Sequence, residues 1–99
     1  MINRDDLTAD QKIRAMNFDR FEQGSFSINI SNSSNLNAKL YFNLGNRDTQ
    51  MEKWEDSEVN ITGDDLHVFN ITVPSRYISL TIEIFSGSCN IESYATLKA

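Results

Sequence analysis

The sequence predicts an all-β protein: an antiparallel sandwich of about six strands preceded by a short N-terminal helix or arm. Three observations lead there. From Gly24 onward apolar residues recur at every second position, the period of a strand with one buried and one exposed face. Gly, Asn, Asp and Ser interrupt that pattern at short intervals, and no helical segment stands between strands to carry a parallel crossover. The chain of 99 residues supports one modest core, so a single domain is expected, with an arm over 1–23 and a β domain over 24–99.

The arm reads differently from the rest. Thr8 and Gln11 have the spacing of a capping box, and Ile13, Met16, Phe18 and Phe21 follow at a loosely helical spacing. A helix of two or three turns is expected through Met16, with Asp10 and Arg14 placed to suit its dipole. Such a helix is marginal alone and must dock, either on the open end of its own domain or on a neighbouring subunit.

In the β domain, Phe26, Ile28 and Ile30 alternate with Ser25, Ser27, Asn29 and Ser31. After the turn residues of Asn32–Asn35, Ala38, Leu40, Phe42 and Leu44 alternate with Lys39, Tyr41 and Asn43, so the two runs are expected to form a hairpin. The polar stretch Asn46–Asp56 reads as the longest connection. Trp54 within it is either folded over an edge of the core or an anchor for a partner. Val59 and Ile61 mark a third strand, Phe69, Ile71 and Val73 the inner face of a fourth, and Ile78, Leu80, Ile82 and Ile84 that of a fifth. Ser86-Gly87-Ser88 is expected to turn the chain into a sixth, with Ile91, Ser93, Ala95 and Leu97 facing inward. Closure follows a jelly-roll or immunoglobulin-like pattern.

Composition bounds function. A formal charge of -5 leaves too little Lys and Arg for an electrostatic grip on phosphates, and no window is apolar enough for a membrane helix. The N-terminus, Met-Ile-Asn-Arg-Asp-Asp, lacks the apolar run of an export signal, and a solitary Cys89 fits folding in a reducing cytoplasm. The sequons at Asn29, Asn32, Asn60 and Asn70 are what a chain rich in Asn, Ser and Thr produces by chance.

Catalytic chemistry finds no foothold. His67 alternates with Leu66 and Val68 and reads as structural, and Cys89 has no cationic neighbour in sequence to stabilise a thiolate. Neither a metal motif nor a phosphate loop is present, so no cofactor is expected, although Asp56, Glu58, Asp64 and Asp65 leave a cation or a basic partner open. The residues expected to meet a partner are Ile13, Met16 and Phe18 on the arm, and Trp54, Glu55, Asp56 and Glu58 in the acidic middle. The outward strand positions carry mostly Ser, Asn and Thr, with Tyr41 and Tyr94 between them. Such groups bond across a subunit contact without the cost of burying charge.

A short polar arm followed by strands such as Ser25-Phe-Ser-Ile-Asn-Ile-Ser-Asn-Ser-Ser and Leu40-Tyr-Phe-Asn-Leu-Gly-Asn resembles the small β-sandwich structural proteins of icosahedral phage virions. That resemblance implies a non-enzymatic minor capsid, decoration or vertex component, made in the host cytoplasm and held in the virion by other virion proteins or copies of itself. Two alternatives belong to other classes. One is an acidic inhibitor that mimics nucleic acid with Glu52, Glu55, Asp56, Glu58, Asp64 and Asp65; the other is a carbohydrate-binding module that stacks Trp54, Tyr41 or Tyr77 on a sugar.

Overall fold

The structure, a computed structural model, describes residues 3–12, 16–17, 23–47, 49–72 and 76–98. Its strands are β1 (Asn3–Leu7), β2 (Gln11–Lys12), β3 (Met16–Asn17), β4 (Gln23–Arg47), β5 (Gln50–Lys53), β6 (Val59–Ile61), β7 (Asp65–Ile71) and β8 (Tyr77–Lys98), with one 3-10 turn at Glu55–Ser57. All belong to one sheet, and every pairing is antiparallel. The long strands β4 and β8 run side by side through its centre. Along the far edge of β8 lie β1, β2 and β3 in turn, and along the far edge of β4 lie β5, β6 and β7. The sheet is therefore four chain tracks wide.

That sheet is folded across its strands. Straight, the 25 residues of β4 would reach roughly 80 Å, yet the longest dimension of the molecule is 38 Å. Phe26 and Phe42, on the same strand, meet with ring centroids 5.1 Å apart, and Phe42 meets Phe69 at 5.1 Å edge to face. Two halves of the sheet thus face each other. The Phe26 half holds β1, β7, the start of β4 and the end of β8; the Phe42 half holds β2, β3, β5, β6, the end of β4 and the start of β8.

The crease crosses all four tracks, and its chemistry is local. Asn32 and Asn35 of β4 take positive φ of 49°, a region Asn tolerates, while Gly87 of β8 takes φ 80°. A Cβ on Gly87 would lie 2.3 Å from the carbonyl oxygen of Asn35, so the close approach of the two strands also demands glycine. Where the ladder slips, side chains take over its hydrogen bonds. The Ser33 amide donates to Asp64 Oδ1 at 2.9 Å, the Ile84 amide to Asp10 Oδ1 at 2.7 Å, and the Asp6 amide to Asn90 Oδ1 at 2.9 Å.

The expected alternation holds on both sides of the crease. Phe26, Ile28, Ile30, Leu36, Ala38, Leu40 and Phe42 of β4 are buried, and so are Ile78, Leu80, Ile82, Cys89 and Ile91 of β8 and Ile61 of β6. In β8 the inward parity changes from even to odd between Ile82 and Cys89. Phe85, the extra residue between Ile84 opposite Ala38 and Ser86 opposite Asn37, shifts it.

Several expectations are corrected. Among the described residues the N-terminal segment contains no helix: Gln11–Lys12 pairs with Thr81 and Ile82, and Met16–Asn17 with Tyr77 and Ile78. Asp10, expected in a helical first turn, accepts the Ile84 amide instead. The free edge of β8 offers hydrogen bonds that outweigh a marginal helix. Asn32–Asn35 is a bend within one strand and not a hairpin turn, because 24–31 and 37–45 both pair with β8. Ser86–Ser88 likewise bends β8 without ending it. The stretch read as one long connection contains β5 and the 3-10 turn.

Candidate functional site

The two outer faces of the folded sheet differ in what their polar groups do. On the Phe42 half they are occupied with one another. Asn43, Ser79 and Thr81, expected to face solvent, are buried: Asn43 Nδ2 donates to Thr81 Oγ1 at 2.9 Å and to Ser79 Oγ at 3.2 Å. The Tyr41 hydroxyl donates to Glu83 Oε1 at 2.7 Å, and partial burial together with that bond raises the Tyr41 pKa. Lys39 Nζ lies 3.0 Å from Glu58, and Lys53 contacts Glu58, lies 3.6 Å from Glu55 and sits over the Tyr41 ring. Bonding to Lys53, then to Lys39, holds the Glu58 carboxyl below its usual range.

Trp54 lies at the corner beside this face. Its amide donates to the Phe42 carbonyl at 2.8 Å, and its side chain is half-buried against the core. Ser57, itself buried, accepts the Phe42 amide on Oγ at 2.8 Å and donates to the Trp54 carbonyl at 2.6 Å. A serine side chain thus stands where β5 and β6 leave the Phe42 amide without a backbone acceptor.

On the Phe26 half the outer face is open. Its cross-strand rows are Val68, Ser27 and Tyr94; Leu66, Asn29 and Glu92; and Asn70, Ser25 and Thr96. Tyr94, Leu66 and Val68 are 58%, 57% and 55% exposed. Val68 and Tyr94 stand two strand spacings apart, about 10 Å, with small Ser27 between them, which makes a shallow serine-floored trough with apolar walls. Across Ser25–Ser31, Leu66–Asn70 and Asn90–Thr96 the only ionised outward residue is Glu92. It accepts the Tyr94 hydroxyl at 2.5 Å and raises the Tyr94 pKa.

Of the residues the sequence singled out, Ile13 and Phe18 lie outside the described residues, and Met16 belongs to β3, opposite Ile78. Trp54, Glu55, Asp56 and Glu58 do gather at one corner, with Glu55 and Asp56 exposed and Glu58 tied to two lysines. Leu66 and Val68 were missed as contact candidates. The signal was available: Leu66-His-Val-Phe-Asn-Ile places apolar residues on both faces of one strand, which a strand with one solvated face does not need.

His67 points to the Phe69 side, as expected. Its Nε2 is buried without a hydrogen-bond partner, 4.0 Å from Asp65 Oδ2. The shallow cleft beside it, about 200 Å³, is lined by Asn60, Thr62, Asp64 and Asp65 among others. That is smaller than ordinary ligand pockets. Among the described residues no three His, Cys, Asp or Glu converge on a common point. Cys89 is buried, and desolvation pushes its thiol pKa up. No protein-family model matches the chain, and no curated protein matches it in sequence.

Proposed function

We propose that this chain is a non-enzymatic structural protein that acts through protein–protein contacts, its folded sheet closing as a small sandwich of the jelly-roll kind. The observation that carries the reading is the open face of the Phe26 half, where Leu66, Val68 and Tyr94 stand more than half exposed on a floor of Ser and Asn. Covering it removes apolar area from water at about 25 cal/mol per Å² while stripping water from a single charge, Glu92. An aromatic anchor, Tyr94, beside apolar Leu66 and Val68 with little surrounding charge matches the composition of an interface centre. The Ser- and Asn-rich strands that resemble virion β-sandwich proteins make the virion the proposed destination, with other virion proteins or further copies as neighbours. Internal pairing of Glu58 with Lys39 and Lys53 weighs against the acidic mimic, because it neutralises the middle of the proposed acidic surface.

Mass spectrometry of purified particles tests the destination. The expected result is the protein in fixed stoichiometry with the shell, retained through a salt wash that strips loosely bound proteins. A protein found only as a free monomer, absent from every particle fraction, overturns the reading.

A further inference from the structure

The edges of this sheet are not alike. β1 carries Arg4, Asp5 and Asp6 with a slipped register, β5 carries Glu52 and Lys53, and β6 has only three residues, all devices that blunt edge pairing. β7 has only one of them, the charge of Asp65 at its first position. Its seven residues, Asp65-Leu-His-Val-Phe-Asn-Ile, contain no Lys, Arg or Pro, pair with β4 in unbroken register and, among the described residues, have no strand on the other side.

We propose that β7 is the contact through which two copies of this chain pair, antiparallel and edge to edge, about a two-fold axis at Val68. The Leu66 amide donates to the Asp65 side chain at 2.8 Å, which places it on the edge away from β4, and the period of two puts the backbone groups of Val68 and Asn70 on that edge too. Centring the pair on Val68 therefore sets Val68 against its counterpart and Leu66 against Asn70, all in hydrogen-bonded positions. On the outer face the two valines meet as a β-branched pair, which strand pairing favours. On the inner side His67 falls opposite Phe69. Asp65 falls opposite Ile71, so the two Asp65 carboxylates stand about 20 Å apart, beyond the screening length of roughly 8 Å in physiological salt. Like charges do not oppose the pairing. The edge is about 23 Å long, short for a standard interface, so the pair forms at high concentration and dissociates on dilution. This inference stands apart from the proposed destination, since it needs only the edge of β7 that no described strand covers.

Disulfide trapping in the full chain tests both the contact and its register. Facing Cα atoms in a hydrogen-bonded antiparallel pair lie about 5.5 Å apart, within disulfide reach. Val68→Cys is expected to form a covalent dimer under mild oxidation. Leu66→Cys and Asn70→Cys are each expected to stay monomeric alone and to cross-link when mixed, and Cys89, being buried, does not compete. In sedimentation velocity the wild-type mass should rise with concentration, and Val68→Lys, with circular dichroism unchanged, should abolish the rise. Equal cross-linking at all three positions, no cross-link at Val68, or a wild-type mass that stays monomeric throughout overturns the proposal. Pairing of β7 with another protein's strand in place of its own copy overturns it as well.

Discussion

Replacing Gly87 by Ala tests the crease on which the architecture depends. At φ 80° an L-residue with a Cβ costs about 1–2 kcal/mol. The added carbon would also lie 2.3 Å from the Asn35 carbonyl oxygen and 2.4 Å from that of Ser34, both backbone atoms that cannot swing aside. Forcing β4 and β8 apart adds an overpacking cost of about 1–3 kcal/mol. A total near 3 kcal/mol, at about 5 °C per kcal/mol for a domain of this size, lowers the melting temperature by about 15 °C. Gly63→Ala is the control: its Cβ meets nothing within 4 Å, so its effect should stay within about 0.5 kcal/mol. Thermal unfolding followed by circular dichroism reads both. Gly87→Asn separates the causes, because Asn tolerates the positive φ but still carries the clashing Cβ. Equal melting temperatures for Gly87→Ala and Gly63→Ala would mean that neither the positive φ nor the close approach at Gly87 is needed for the crease.

Three further outcomes are expected. Ser57→Ala removes the acceptor of the buried Phe42 amide and should cost about 1–3 kcal/mol in chemical denaturation, whereas a change below about 0.5 kcal/mol would mean that amide finds another partner. Stability should also be flat near neutrality and fall at both extremes. Lys53 and Lys39 lower the Glu58 pKa and Ser33 lowers that of Asp64, so their contribution is present above the usual carboxylate range and lost as pH falls through the depressed folded values. Tyr41, Tyr94 and Lys53 are raised, so theirs is present below about pH 10 and lost as pH climbs through the folded values. Melting temperature against pH checks this, and a Glu58→Gln, Asp64→Asn double variant should show a shallower acid limb than the wild type. Finally, the buried Cys89 thiol should resist a thiol reagent in the native state and react at a rate that tracks unfolding. Fast reaction in native buffer contradicts its placement.

The strands were legible because burial on one face writes a period of two into the chain. Phe26 to Ile30, Ala38 to Phe42 and Ile78 to Ile82 appear inward as read. The crease was not legible, because Asn32–Asn35 and Ser86–Ser88 have the composition of turns, and only long-range pairing decides whether such residues reverse a strand or bend it. The arm misled for a related reason. Thr8 and Gln11 satisfy a helix start locally, but the unpaired edge of β8 lies some seventy residues away in sequence and competes for the same backbone. Parity put Asn43, Ser79 and Thr81 on the face opposite Phe42, Leu80 and Ile82 and so towards solvent, but they are buried and bonded to one another, which parity does not reveal.

A Leu66→Ser, Val68→Ser, Tyr94→Ser triple variant tests whether the open face of the Phe26 half is the working surface of the protein. Its side chains are more than half exposed, so the fold should survive, which circular dichroism verifies. Quantitative mass spectrometry then compares how much wild-type and variant protein enters purified particles. Loss of three anchors at about 1 kcal/mol or more each predicts incorporation reduced at least tenfold. Equal incorporation of the folded variant would contradict the claim.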